Sequence, residues 1–390
     1  MCNARRVGAA ALAALLLGGC DEPGPVEISE SSGGAYEASL TPVGSGWAVA
    51  WHDTRNGHPE IYARVLDVNG DPAEPPRRLT DTANDSYEPQ LATAGASELL
   101  VAWYAVSPSG ASVTHVGAWD LDGEAGPRWT RALSDPARLG RNVVVRVANR
   151  RLFCAWIEKS EGTPDAAVWA QWLDLDRDGR PLSPPRRLAD AGATTWNLNA
   201  AIDGDGRAWV VFDATAGTRT DELFLVGADA DGPVRLTDDD GIASKYPDLA
   251  FGPDTAAVTW FDERDGNREV YLAVASLAEL RDRFAAQASR VTTTTGASIG
   301  AYVAWNGGRV GVAWSDDTGG EPDVYFQTFD RAGAAVHSAV RLTNNPTASL
   351  IPAIQPAGEG FALAWNEDVV SERGDHRSGG RSEIVFTTVP

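Results

Sequence analysis

The chain is poor in lysine, histidine, cysteine and long apolar runs, and each shortage removes a class of function. Lysine occurs only at positions 159 and 245, and 54 acidic residues face 33 basic ones, giving a formal charge of −21. A surface of that sign repels a phosphate backbone, so DNA and RNA are not expected partners. The five histidines are scattered, with no pair at metal-ligand spacing. The three cysteines stand at 2, 20 and 154, too few for a disulfide framework. The apolar run "VGAAALAALLLGG" (7–19) is shorter than the roughly 20 residues a membrane-spanning helix needs. What the chain has instead is 40 glycines, 23 prolines and 14 tryptophans, the composition of many turns and one repeated packing residue.

The first residues read as an export signal rather than as fold. A short basic start, "MCNARR", precedes the apolar run, which is the layout of a signal-peptide core. The run ends in Leu17-Gly18-Gly19-Cys20, which resembles the bacterial lipobox, whose cysteine is diacylated and becomes the mature N-terminus. The resemblance implies a lipoprotein signal peptide over 1–19, lipidation at Cys20 and a tether over 20–24. Acyl chains contribute about 0.8 kcal/mol per buried CH₂, enough in pairs for stable anchoring to a membrane. The expected location is the bacterial cell envelope, with the domain lipid-anchored outside the cytoplasm, periplasmic or at the surface. Cys154, in "RLFCAWIE", is then left without a disulfide partner, and its apolar neighbours predict a buried structural thiol.

From residue 25 onward the sequence repeats. "GWAVAWHDTRNGHPEIYARVLDVNG" (46–70), "VTWFDERDGNREVYLAVAS" (258–276) and "RVGVAWSDDTGGEPDVYFQTFDRAG" (309–333) carry the same parts in the same order. Looser copies bring the anchor aromatics to seven: Trp51, Trp103, Trp156, Phe212, Trp260, Trp314 and Trp365, spaced 52, 53, 56, 48, 54 and 51 residues apart. A fixed period of this length marks a repeat architecture. Apolar residues alternate toward each anchor with small ones between, as in Val49-Ala50-Trp51, which is a strand pattern with both faces buried. Asp-x-x-Gly pairs such as Asp67/Gly70 and Asp330/Gly333 predict tight hairpins. A last segment such as "RRLTD" (77–81) or "VRLTN" (340–344) makes four strands per copy. The fold expected over 25–390 is all-β, a seven-bladed β-propeller of four-stranded blades. The seventh copy stops after its third strand, and "PVEISESSGGAYEASL" (25–40) parallels "PVRLTDDDGIASKYPDL" (233–249). The N-terminal strand is therefore expected to complete the last blade.

"ERDGNREVYLA" (263–273), "RLTNNP" (341–346) and "KYPDLAFGPDTAAVTW" (245–260) resemble the repeats of TolB-type propellers. The resemblance spans the repeat region and implies an extracytoplasmic protein that binds other envelope proteins. Sialidase-like propellers are more distantly similar. Their Ser-x-Asp-x-Gly-x-x-Trp box is approached by "SDDTGGEP" (315–322), which has Pro322 where the aromatic belongs.

Several polar motifs are candidates for function. The position two after each anchor carries Asp53, Glu158, Asp262, Asp316 and Glu367, interrupted by Ala105 and Ala214. With Arg55 and Arg264 these form a candidate ligand-binding rim on one face. Recurrence blade after blade points equally to turn capping. Glycosidase chemistry would need a fixed carboxylate separation and split pKa values. "DLDRDG" (174–179) offers Asp174, Asp176 and Asp178 as the first ligands of a calcium loop, without the downstream Glu. Seven arginines lie between 128 and 151, and "SLAELRDRFAAQAS" (276–289) reads as a helix opened by a Ser276/Glu279 capping box. "GASIG" (296–300) is followed by a strand, not by the helix a nucleophile elbow needs, and "RGD" (373–375) is a three-residue match. The expected function is a non-enzymatic binding module for protein or glycan, monomeric, with calcium as the one conceivable cofactor. The alternative is a sialidase-like glycoside hydrolase or a lyase on the same propeller.

Overall fold

The computed structural model describes residues 24–121, 123, 126–160, 166–193, 195, 197–368 and 381–390. The export segment, Cys20 and the RGD run lie outside the described residues. Seven antiparallel sheets follow one another along the chain. Blade one consists of Ala35–Val43, Gly46–Asp53, Glu60–Leu66 and Arg77–Arg78, hydrogen-bonded in that order. Blades two to six begin at Asp85, Leu139, Leu198, Ser244 and Ser298 and keep the same order. Blade three has one strand more, because Arg180–Pro181 and Arg186–Gly192 both pair with Ala166–Asp174. Blade seven takes Ser349–Ala357, Gly360–Asp368 and Ser382–Val389 from the end of the chain and Val26–Glu27 from its start. The protein is thus the seven-bladed, N-terminally closed propeller that the repeats predict.

The large–small alternation of the second strands explains the stacking of the blades. At five junctions the anchor aromatic shares a cluster with the alanine that precedes the anchor of the blade before it, and Trp260 meets Val211 at the same place. Trp103 shares a cluster with Ala50, Trp156 with Ala102, Phe212 with Ala155 and Trp365 with Ala313. Trp51 closes the series on Ala364 of blade seven. Trp51, Trp156, Trp260 and Trp365 are 0% exposed. An aromatic of this size buries roughly 150–250 Å², so the seven junctions hold much of the core. Gly70 shows how tight the last junction is. Its φ is +81°, and a Cβ there would stand 2.5 Å from the Phe386 ring of blade seven.

Within a blade, the outer strand is fastened by a second recurring device. The third strand opens with a buried acid, and the fourth-strand hydroxyl two residues after the Arg of "RLT" serves it. Thr237 Oγ1 donates to Glu222 at 2.6 Å and Thr343 Oγ1 to Asp323 at 2.8 Å. Thr80 serves Glu60 and Thr292 serves Glu269 in the same way. Each hydroxyl also accepts the backbone N–H after the acid, at 2.8–2.9 Å for Ile61, Leu223, Val270 and Val324. Blade two keeps only half of the device, with Ser134 Oγ accepting from Thr114 N at 2.9 Å and Val113 in place of the acid.

The closing strand uses the same fastener. Val26 and Glu27 pair with Phe386 and Val385. Ser29 stands where the other blades have Thr: its hydroxyl donates to Glu383 and accepts from Ile384 N at 2.8 Å. Blade one grips the strand from the other side, Arg64 donating to the Ile28 carbonyl and Arg55 to the Ser29 carbonyl, both at 2.7 Å. The helix of blade five, Leu277–Gln287, has the expected capping box. It buries Leu280 and Phe284 on the blade, the Phe284 ring 5.0 Å from Trp260. Its inner face is therefore occupied by the ring.

Ser29→Ala should lower stability by about 1–3 kcal/mol, because it leaves Glu383 and the Ile384 N–H short of a buried partner. Ser29→Thr should retain most of it. Urea unfolding followed by tryptophan fluorescence measures both, and an unchanged midpoint in Ser29→Ala would refute the fastener.

Candidate functional site

The inner strands of all seven blades surround a cavity of about 810 Å³. Their sequence builds an unusual rim at one end of it. In six blades the inner strand slips register by one residue: at Tyr36/Ser39, Tyr87/Gln90, Arg141/Val144, Lys245/Asp248, Ile299/Tyr302 and Leu350/Ala353. The residue following the first of each pair takes a left-handed backbone: Glu37, Glu88, Asn142, Tyr246, Gly300 and Ile351, with φ between 45° and 62°. Only glycine adopts this freely. Each of the other five costs about 1–2 kcal/mol, and Ile351, β-branched, is the least suited. Pro89, Pro247 and Pro352 occupy the next position, where the bulge leaves no ladder partner for an N–H. Blade four pairs Leu198–Ile202 without a slip. Bulges of this kind re-aim side chains, and strained backbone concentrated at one rim is a mark of a functional surface.

One side of the rim is aromatic and acidic. Tyr36 stacks on His52 with ring centroids 5.3 Å apart, the edge of Tyr87 meets His52 at 5.3 Å, and Tyr87 stacks on Tyr104 at 5.4 Å. Arg141 covers Tyr104 at 5.5 Å. His52 Nδ1 lies 3.3 Å from Glu37 Oε2, and the Tyr104 hydroxyl donates to Glu88 at 3.3 Å. Burial, helped by the carboxylates of Asp368, Asp53 and Glu383, pushes the Tyr36 phenol up to about 12, so it stays a donor. The opposite side is held by Tyr246, which is 47% exposed and stacks on Phe261 at 5.4 Å. The freed N–H groups of the bulges are taken by the neighbouring blade: Glu37 N donates to Asn366 and Tyr246 N to Asp213, both at 3.0 Å.

The acids expected to form the rim lie inside the blades instead. Asp53 is 0% exposed and accepts from Trp51 Nε1, Ser31 Oγ, Arg55 N and Arg55 Nη2. Asp262 accepts from Ser244 Oγ at 2.7 Å and from Arg264; burial works against its charge, but these bonds hold it below the usual carboxylate range. Asp316 is held by Ser298, Thr294 and Thr318, and Glu158 by Trp156 and the Asp135 N–H. Glu367 contacts Trp365 Nε1 at 3.4 Å, and burial raises its pKa. Arg55 and Arg264 fold back over Tyr62 and Tyr271. Each set joins the turn of its own blade, and the structure does not gather them round one point.

Asp174, Asp176 and Asp178 turn to three different arginines, Arg177 at 3.6 Å, Arg150 at 2.9 Å and Arg128 at 3.4 Å. Among the described residues no three His, Cys, Asp or Glu side chains converge to hold a metal. Most of the arginine run is likewise engaged, Arg128 with Glu98 at 2.8 Å and Arg138 with Glu158 at 3.8 Å. Ser298 of "GASIG" lies in the inner strand of blade six and donates to Asp316 at 2.6 Å. Cys154 is buried and free, and burial pushes its thiol up, away from the thiolate.

The rim residues were not singled out from sequence, although a signal existed. Aligned on the anchors, the next position reads His52, Tyr104, Ile157, Asp213, Phe261, Ser315 and Asn366, seven different residues in seven blades. All seven are buried, so they back the rim from beneath rather than line it.

The fold and the rim define a β-propeller with a differentiated channel mouth. Solved structures with the same fold include an α-L-arabinofuranosidase from Fusarium graminearum, 10% identical, covering 94% of this chain and 97% of that one with a TM-score of 0.52. They also include a polysaccharide lyase of the ulvan lyase family, 10% identical over 79% of this chain and 80% of that one, TM-score 0.51. A protein assigned as TolB from Agrobacterium tumefaciens matches 67% of this chain and 95% of its own length, with 15% identity and a TM-score of 0.41. At such identities the arabinofuranosidase and the lyase establish the fold alone. No protein-family model and no curated protein matches the sequence.

The Asp213 carboxyl is buried, which pushes it up to about 6 against the bonds from Tyr246 N and Asn197. The folded state then holds this proton more tightly than the unfolded chain between about pH 4 and 6, so the group favours folding at the acid end and the contribution is lost as pH rises through about 6. Asp213→Asn, which keeps an oxygen for Tyr246 N, should stabilise the protein by about 1–3 kcal/mol near pH 8 and change little near pH 4. Thermal unfolding across that range tests the sign. A variant less stable than the parent at the alkaline end would contradict it.

Proposed function

We propose that this chain is a lipid-anchored β-propeller of the bacterial cell envelope that binds a protein or glycan across its channel mouth without transforming it. The observation that carries the reading is the break in the repeat at the mouth. Acids and arginines elsewhere recur from blade to blade and serve the turns, whereas the bulged positions at the mouth carry Glu37, Glu88, Asn142, Tyr246, Gly300 and Ile351, with no bulge in blade four. Half-buried Tyr87 and Arg141 with Glu37 and Glu88 on one side, backed by the buried Tyr36 and Tyr104 rings, and exposed Tyr246 on the other, suit a ligand with apolar faces and hydroxyl or amide groups. The anchoring rests on the lipobox-like Leu17-Gly18-Gly19-Cys20 and the envelope setting on the TolB-like repeats.

A hydrolase or lyase reading draws on one observation, the contact between His52 and Glu37 beside Tyr36 and Tyr87. Against it, His52 is 1% exposed and Tyr36 3% exposed. A general acid or base must come within hydrogen-bond reach of the substrate. Enzymes on this fold, the arabinofuranosidase and the polysaccharide lyase among them, show only what the scaffold can host.

Two measurements test the proposal. In the native host, Cys20→Ser should shift the full chain from the detergent phase to the aqueous phase on Triton partitioning. Crosslinking and glycan-array screening of the detergent-solubilised chain should yield a ligand whose affinity falls about tenfold or more in Tyr87→Ala and Arg141→Ala, at unchanged melting temperature. Release of a cleaved product from that ligand would favour the hydrolase or lyase reading instead.

A further inference from the structure

Deeper in the channel the repeat breaks a second time, and the break introduces charge. The inner strands carry the uncharged Thr41, Ala92, Ala201, Ala250, Ala304 and Gln355 at one equivalent position, aligned by their pairing to the residue three before each anchor. Blade three places Arg146 there instead. Two positions earlier in the strand, blade five places Asp248, where the other blades have the uncharged Ser39, Gln90, Val144, Asn199, Tyr302 and Ala353. Arg146 and Asp248 both line the 810 Å³ cavity.

Neither charge is neutralised by contact with an opposite one among the described residues. Arg146 donates to two neutral acceptors, the Val145 carbonyl and Asn199 Oδ1, both at 2.8 Å. A guanidinium has five N–H groups, so three remain for another partner. Asp248 accepts from the Val303 and Leu249 N–H groups, both at 2.8 Å, and each of its oxygens retains a lone pair. The two groups feel one another electrostatically without touching. Burial lowers the pKa of Arg146 and raises that of Asp248 to about 6. Both charges therefore sit where water solvates them poorly, and a ligand charge would interact with them strongly.

The two signs together select the ligand. A net anion would have to pass the acidic field of the whole chain and the rim carboxylates Glu37 and Glu88. A net cation would be repelled by Arg146. A zwitterion meets neither barrier and offers one group to each charge. The cavity falls in the roughly 300–1,000 Å³ range of small-molecule sites, and Tyr302, one blade beyond Asp248, adds an aromatic wall.

We propose that the channel interior is a binding site for a small zwitterion of the α-amino acid class, its carboxylate held by Arg146 and its ammonium by Asp248. The site lies deeper in the cavity whose mouth the rim forms, and it does not depend on the identity of the ligand proposed there. Isothermal titration of the detergent-solubilised full chain with the twenty common amino acids, acetate and ethylammonium tests it. At least one amino acid should bind, and acetate and ethylammonium should bind at least about tenfold more weakly. Arg146→Gln should weaken amino-acid binding by about tenfold or more at unchanged melting temperature. The proposal fails if no amino acid binds at about 10 mM, if acetate binds as well as the amino acid, or if Arg146→Gln binds as tightly as the parent. The comparison with acetate is made on the unaltered protein, so the test holds even where the variant folds poorly.

Discussion

The structure depends on one kind of contact repeated round the ring, an aromatic of one blade packed against the blade before it, on an alanine at five of the junctions. A twisted four-stranded sheet exposes two apolar faces and cannot stand alone in water. Each face is covered only when the next blade arrives, so no blade is stable until its neighbours are in place. The junction of Trp51 with Ala364 is as necessary as the other six, although the two residues lie at opposite ends of the chain. Circular closure is in this sense a packing requirement before it is a topological one.

A hydrogen-bond device secures what the packing brings together. The outer strand of a blade is short, as few as two residues by its ladder, and two ladder residues hold little. The buried acid and its hydroxyl partner supply the missing attachment, in Thr80, Thr237, Thr292 and Thr343 and again in Ser29. The closing strand therefore works with the same chemistry as the strands it imitates. Blade three lacks the hydroxyl, having Ala189 there, and instead extends its outer strand over Arg186–Gly192.

Repetition decided what could be read from the sequence. The anchors, the Asp-x-x-Gly hairpins, the capping box of the helix and the closure by residues 26–29 were legible, because each is a local pattern or a copy of one. The carboxylates after the anchors were legible as turn residues, and Asp53 and Asp262 are indeed consumed by their own turns. The bulges were not legible. A one-residue slip leaves alternation nearly intact over a strand of nine residues, and a left-handed Glu37 or Ile351 looks in sequence like any strand residue. The unlike residues from His52 to Asn366 show in an alignment on the anchors, but that they come together beneath one rim depends on seven strands converging on one axis. Arg146 passed as one arginine in a basic run, and only the pairing register shows that the other blades hold small or neutral residues there.

The joint between the two chain ends also has a mechanical meaning. Residue 24 leads directly into Val26–Glu27, so any pull transmitted through the leading segment enters the ring at its final joint and at no other place. The load would fall first on two ladder residues, on Ser29 with Glu383, and on the grips of Arg55 and Arg64. A pull on the leading segment would bear on the strand that closes the ring, and the bonds of Arg55 and Arg64 to its carbonyls would pass part of that load into blade one.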